Sequence, residues 1–359
     1  MPGRTVIPFG PQHPVFPEPL QLRLVMEEER VIEAVPALGY MHRGLEKLAE
    51  TKDYAQNVFL MERVCGICSA MHSLCYCQAI EELMGVEVPP RARYLRTIWA
   101  ELGRLQSHHL WLGLVADAFG FESLFMECWK NREIVMDLNE ATSGNRVTIS
   151  VNAVGGCRRD LEDAVLREVG RKLDDLERGL ARIAPVFRDD PLIKQRTVGA
   201  GVISRDEVIR LGAVGPVLRG SGVAQDMRQL GYAAYGELDF YPVVEEGGDS
   251  YARLMVRLRE AFQSIDLIRQ ALRKMPGGEV LLKVKGRPEG EAVNRVEQPR
   301  GELLYYVRAT GKPQLDRVRV RTPTLSNIPP LVRMLQGCRL ADVPVIALSI
   351  DSCISCTER

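Results

Sequence analysis

Apolar and polar positions change their period several times along this chain. Residues 20–26, LQLRLVM, alternate apolar with polar, and VIEAVPALG at 31–39 follows across the charged EEER segment, which predicts a β-hairpin. From Arg43 the repeat becomes helical: RGLEKLAE predicts a short helix, and 68–85 a second one ended by glycine. After the Pro89-Pro90 break, residues 91–120 predict a long helix, and 123–142 another, closed by Ser143-Gly144. RVTISV at 146–151 reads as a strand. Residues 156–184 are charged on one side and apolar on the other, which suits an exterior helix, and 250–275 predicts a long amphipathic one. EVLLKVK, ELLYYVRA, LDRVRVR and PVIALSI are strand candidates in the last quarter, while the glycine-rich stretch 197–248 shows no clear period. The expected fold is mainly α: one domain spanning 1–359, with a core of long helices and small sheets at its edges.

Composition narrows the function classes. At 359 residues, 46% hydrophobic and 26% charged, the chain can bury a large core. Lysine plus arginine equals aspartate plus glutamate, 47 each, so no basic excess points to nucleic acid or a membrane surface. No apolar run of about 18 residues predicts a membrane-spanning helix. Prolines in MPGRTVIPFGPQHP stand where a signal peptide needs an apolar run. Nine cysteines is an odd number for a disulfide framework, and reduced thiols in the cytoplasm are expected.

Two Cys-x-x-Cys pairs carry the chemistry: Cys65-Gly-Ile-Cys68 and Cys353-Ile-Ser-Cys356. Two intervening residues let both thiolates of a pair face one ion, and four such thiolates encircle a soft metal. Taken alone, four cysteines suit zinc or an iron–sulfur cluster equally. A zinc ribbon brings its knuckles together within roughly 15–20 residues, whereas almost 290 residues separate these pairs. A site closed across such a distance lies deep in the fold, as a catalytic centre does. Cys75, Cys77, Cys128, Cys157 and Cys338 match no cluster spacing and are expected to be structural thiols.

These pairs stand among GPQHPVFPEPL (10–20), RGLEK (43–47), ERVCGICSAMHS (62–73), EQPRGELLYYV (297–307), RTPTLSN (321–327) and DSCISCTER (351–359). Together the segments resemble the large subunit of [NiFe] hydrogenases, and within them the energy-converting, membrane-associated group. The resemblance runs end to end. It implies a mainly α large-subunit fold and a nickel–iron centre whose iron carries carbon monoxide and cyanide. It makes Cys65 and Cys353 terminal nickel ligands and Cys68 and Cys356 bridging ones. Hydrogen is then split heterolytically, with the Cys353 sulfur as proton acceptor.

The same resemblance assigns the surroundings. Arg300, after Pro299, directs a charged guanidinium at the open face of the metals and a cyanide, and Thr324 offers its hydroxyl to the other cyanide. Asp351 precedes the second pair, with Ser352 where the family has proline. Glu18 relays protons from the nickel thiolate. His72, four residues after Cys68 and so on the same helical face, bonds a bridging thiolate. His108 and His109 read as core histidines on the long helix, and His13 and His42 receive no role. Glu46 matches a carboxylate that holds magnesium or iron in other hydrogenases, where a C-terminal histidine shares the ion; here Arg359 stands there.

Electrons must leave such a site, so the resemblance implies an iron–sulfur subunit carrying the proximal [4Fe-4S] cluster. It also implies further iron–sulfur and integral-membrane, ion-pumping subunits, with this chain peripheral on the cytoplasmic face and no nucleic-acid partner. Many large subunits lose a C-terminal extension three residues after the last cysteine. Thr357, Glu358 and Arg359 follow Cys356 here, and an extension-free gene is the expectation. Two rivals stay open. One is a quinone-site protein like the large quinone-binding subunit of respiratory complex I, which shares GPQHP-like and HRGLEK-like segments but lacks the cysteines. The other is a zinc-binding scaffold.

Overall fold

A computed structural model describes residues 4–359. The chain opens with an antiparallel sheet, β1 (Thr5–Phe9), β2 (Gln21–Glu27) and β3 (Arg30–Ala37), in that order. The period-two pattern does what it predicts: Leu22, Leu24 and Met26 point inward and are buried. The helices α1 (Leu45–Ala49), α2 (Asn57–Glu62), α3 (Ser69–Met84), α4 (Pro90–Ala118) and α5 (Glu122–Ser143) follow. Gly85 and Gly144 end α3 and α5 in the left-handed conformation that a side chain disfavours.

A small ribbon of β4 (Asn152–Ala153) and β5 (Gly156–Cys157) leads to α6 (Asp163–Asp189) and α7 (Pro191–Thr197). The expected strand at 146–151 is absent; pairing begins at Asn152. The expected helix from 156 starts at Asp163, because Gly156 is pressed against another backbone. A Cβ there would meet the Val280 carbonyl oxygen at 2.0 Å. EVLLKVK is its unpaired neighbour: only Leu281 bridges, to Gly156.

The glycine-rich middle folds into α8 (Arg205–Arg210), α9 (Pro216–Arg219) and two short 3-10 turns at Met227–Leu230 and Tyr235–Glu237. Then come α10 (Ser250–Lys274) and a second antiparallel sheet of β6 (Glu289–Gln298), β7 (Gly301–Thr310) and β8 (Arg317–Arg321). The chain ends in α11 (Pro323–Leu335), α12 (Val343–Ser349) and α13 (Ile354–Glu358). PVIALSI is therefore helical, not a strand. Pro344 sits in the first turn, where its missing N–H costs nothing, and burial all round erased the alternation that tells strand from helix.

α3, α4, α5, α6 and α10 pack around a large apolar core that includes Leu95, Trp99, Leu173 and Ile265. A second core joins the first sheet to α11 and α12 through Leu22, Leu24, Leu331 and Ile346. The seam between the two cores runs through the last residues: Cys353 and Cys356 face the first, Ile350 and Ile354 the second.

Candidate metal centre

The four thiols meet at that seam. Cys65 Sγ lies 3.4 Å from Cys353 Sγ, and Cys68 Sγ lies 3.4 Å from Cys356 Sγ. First pairs with first and second with second, and all four are at most 2% exposed. The ligand atoms of Cys65, Cys68 and Cys356 fall within 4.8 Å of one another. Local chain geometry explains the aim. Cys68 is the N-cap of α3 and Cys353 the N-cap of α13, so each pair stands at a helix N-terminus, where unpaired N–H groups favour a thiolate. The Ile67 N–H points back to Cys65 Sγ at 3.3 Å.

Hydrogen bonds from Cys353, Cys356 and Cys68 hold the Cys65 thiol well below the usual range, while burial pushes Cys68 and Cys356 well above it. Burial thus opposes gathering four thiolates here without a counter-charge. Soft cations that neutralise four thiolates resolve this, so the donor set fits a nickel–iron centre, and it equally fits other thiophilic metals.

Arg300 occupies the two-residue turn, Pro299-Arg300, between β6 and β7. Its Nε donates to the Asp351 carbonyl at 2.7 Å, Nη2 to Asp351 Oδ1 at 2.8 Å, and Nη1 to Ser107 Oγ at 3.1 Å. Burial opposes its charge, but Asp351 and the thiolates hold it raised, so it stays a cation. Gly215 makes this placement fit: a Cβ there would meet the Arg300 carbonyl oxygen at 2.3 Å. Burial raises Asp351, Arg300 and Arg257 offset this, and its Oδ2 has no protein partner. Asp351 adopts φ +54°, which places it on a sharp turn between α12 and Cys353.

Of the remaining expected residues, all but Glu46 are also nearby. Thr324, in the first turn of α11, accepts the Cys353 N–H at 3.1 Å, which leaves its O–H proton free to donate. His72 Nε2 lies 3.4 Å from Cys356 Sγ, and its Nδ1 lies 2.8 Å from the Tyr305 hydroxyl. Burial lowers its pKa to about 4, which leaves it neutral. Glu18 reaches in from the proline-dense loop and accepts the Ser355 N–H at 2.8 Å and the Ser355 hydroxyl. Glu46 stands apart from the thiols. Its Oε1 accepts the Val320 N–H and Arg359 Nε, each at 2.9 Å, and its Oε2 accepts Arg319 Nη1 at 2.7 Å. With two guanidiniums on this carboxylate, the residues present do not fit a second ion.

Several positioning residues escaped the sequence reading. Tyr305 and Ser107 lie in apolar-looking strand and helix segments, and nothing in their spacing marked them. Arg43, inside the RGLEK segment, donates Nη2 to the Val64 carbonyl at 2.8 Å and the Ser355 carbonyl at 3.1 Å. One guanidinium thus ties together the approaches to both cysteine pairs. His42 Nδ1 lies 2.7 Å from the Glu358 carbonyl, and Glu358 Oε1 accepts the Gly39 N–H at 2.6 Å. His13 stacks on Phe9 with centroids 4.0 Å apart. His108 and His109 are core residues as expected, both fully buried.

Comparison with known proteins places this geometry. Residues 43–114 match the family described as nickel-dependent hydrogenase, and residues 118–287 and 282–359 match the respiratory-chain NADH dehydrogenase 49 kDa subunit. The carbon monoxide-induced hydrogenase of Rhodospirillum rubrum is 44% identical, over 98% of this chain and 99% of that protein. One component of the F(420)H(2) dehydrogenase of Methanosarcina mazei is 37% identical, over 99% of this chain and 98% of its own. A chain from the membrane-bound sulfane sulfur reductase, an archaeal respiratory membrane complex, superimposes with a TM-score of 0.94 at 32% identity, covering 99% of this chain and 98% of that one. Among the described residues no helix is long and apolar enough to cross a membrane.

Proposed function

Because the chain belongs to the oxidoreductase family that joins nickel-dependent hydrogenase large subunits of membrane-bound complexes to the 49 kDa subunit of respiratory NADH dehydrogenase, we propose that it is the catalytic large subunit of an energy-converting [NiFe] hydrogenase. The observation that carries this reading is the convergence of four fully buried thiols from chain segments 288 residues apart. Cys65, Cys68, Cys353 and Cys356 would hold the nickel–iron centre with its carbonyl and cyanide ligands. When bound, the centre supplies reversible heterolytic cleavage of hydrogen.

The chain's own residues do the rest. Arg300, kept charged by Asp351, presents a fixed cation beside the thiols, and Ser107 sets its tilt. Pro299 fixes the turn that aims it. The Thr324 oxygen holds the Cys353 N–H, and its free proton is available to an anionic ligand. His72, neutral and oriented by Tyr305, steadies the Cys356 sulfur. The Cys353 sulfur accepts the proton at a position that Glu18 reaches through Ser355, and Glu18 lies partly exposed, so the proton has a short way out. No step runs through an ion at Glu46.

Electrons leave to a separate iron–sulfur protein with a proximal [4Fe-4S] cluster, docked near the Cys65 loop, within a larger complex of iron–sulfur and ion-pumping membrane subunits. This chain sits peripherally on the cytoplasmic side and forms a single domain. Metal analysis of the purified complex decides the reading. Nickel and iron in one-to-one ratio, with hydrogen uptake, is the expected result. Zinc in the thiols would make the chain a structural subunit. Thiols without metal would leave it beside its dehydrogenase relatives.

A further inference from the structure

Away from the thiols, the interior holds a network of interlocked buried charges. Arg104 and Glu101 on α4, Arg219 on α9, Glu260 on α10, Asp226 and Arg228 at the first 3-10 turn, and Glu297 at the end of β6 are all at most 2% exposed. Arg219 pairs with Glu260 at 2.7 Å, Glu297 at 2.7 Å and Asp226 at 3.1 Å. Arg228 pairs with Asp226 at 2.9 Å and Glu101 at 3.4 Å, and Arg104 with Glu101 at 3.3 Å. Three guanidiniums thus face four carboxylates. The fully buried Arg257, whose charge Glu260 also supports, is a fourth cation beside them, so the tally alone calls for no proton.

Asp351 already pairs with Arg300 at 2.8 Å, and burial lowers the Arg257 pKa only to about 10, so Arg257 stays a cation. His108 Nε2 touches Glu260 at 2.9 Å, yet burial lowers its pKa to about 4, so it is neutral. The crowding of two carboxylates, not a missing charge, shows where a proton would bind. Glu297 Oε1 and Asp226 Oδ2 both converge on the same nitrogen, Arg219 Nη1. Two carboxylates on one donor do not both ionise readily. Glu297 Oε2 is met only by the Met227 N–H at 3.0 Å, whereas Asp226 also holds Arg228 through both its oxygens. Burial, then Asp226, pushes Glu297 up to about 7. The partly exposed Tyr232, whose hydroxyl accepts the Glu297 N–H at 3.0 Å, separates this pair from the surface.

We propose that the Glu297–Asp226 pair is a proton store that takes up one proton from water when the thiolate centre gains an electron and returns it when the electron leaves. The transfer is simple: the water-borne proton binds a carboxylate oxygen, and no bond in the network breaks. Arg257 links the two regions, because its guanidinium is coupled to Asp351 at the centre and Glu260 in the network. Arg104 adds a mechanical link. It donates to the Glu297 carbonyl at 2.8 Å and the Gln298 carbonyl at 3.2 Å, just before Pro299-Arg300. The redox half of this proposal rests on the metal-centre reading, whereas the stored proton does not.

Infrared difference spectroscopy on the intact complex tests both halves. The resting wild type should show the C=O stretch of a protonated buried carboxyl that disappears as pH rises through about 7, and the band should grow on reduction with dithionite. Glu297→Gln should lose it entirely. Asp226→Asn should lose it too, although Glu297 remains, because Glu297 then has Arg219 Nη1 without a competing carboxylate. Both variants should keep the metal content of wild type. A band that persists in either variant, or a wild type with none at about pH 6, overturns the store. A band blind to dithionite overturns the coupling. A complex that shows the band but no nickel sinks the proposed function and leaves the store standing.

Discussion

The thiol quartet and the ionic network are equally buried, yet they solve opposite problems. The quartet gathers four donors of one kind with only Arg300, itself paired to Asp351, as a nearby cation, so most of its counter-charge has to come from outside the chain. The network carries its own counter-charges. The first is therefore a site that waits for a ligand, and the second a scaffold that holds itself together. Damage to each should look different. Cys356→Ala should abolish nickel retention and hydrogen uptake in the complex, while the unfolding free energy of the metal-free chain moves by about 1 kcal/mol, an ordinary core change. If the variant kept nickel and full activity, the ligand assignment would be wrong.

Arg219→Met should do the reverse. It leaves Glu297 without its ion pair and takes one partner each from Glu260 and Asp226, and breaking one side of a buried pair costs about 3–5 kcal/mol. A urea midpoint close to wild type would show that the network is not structural. Acid separates the regions further. His109 is buried with its Nε2 unpartnered, and burial lowers its pKa to about 4. A depressed histidine contributes stability above its unfolded value near 6.5 and loses it as pH falls towards about 4, which amounts to roughly 3 kcal/mol. Glu297 acts in the opposite sense, since its raised pKa favours the fold below 4.5 and that favour is lost as pH rises through about 7. His109→Gln should therefore flatten the acid limb of the stability curve, and an unchanged limb would place the proton elsewhere.

How much of this contrast the sequence revealed follows from the kind of signal each region leaves. The quartet was legible because cysteine pairs at fixed spacing are rare, and Glu18, Arg300 and Asp351 sit in short segments that travel with them. The network was not. Arg219, Asp226 and Arg228 come from the stretch 197–248, where glycine breaks every period, and a buried arginine looks like a surface one until its carboxylates are seen. Long helices with glycine stops were read correctly, since α3 and α5 carry local caps. PVIALSI was misread because an apolar run buried on every side has no period to report.

Smaller effects refine the picture at the edges of the centre. Glu18→Gln should leave the metals in place and slow hydrogen–deuterium exchange by about 100-fold, the scale of a lost proton-transfer group. Exchange at the wild-type rate would remove Glu18 from the route. Arg359→Ala should loosen the tail by about 1 kcal/mol or less, since the pair with Glu46 is partly exposed. Amide exchange in 354–358 is the measurement, and protection that stays or rises would show that the Arg359–Glu46 pair does not hold this segment.

The Arg43 bridge sets a timetable for making the protein. Its guanidinium grips carbonyls on both sides of the seam, and the second of these, at Ser355, is nearly 300 residues downstream of the first, at Val64. On the ribosome, Cys65 and Cys68 emerge long before their counterparts exist, and until then they are an open pair. The pocket that would hold a metal can close only after residues 353–356 have been made. Whatever delivers the metals meets an unclosed half-site before that point and a four-thiol pocket after it, with Arg43 clasping both halves.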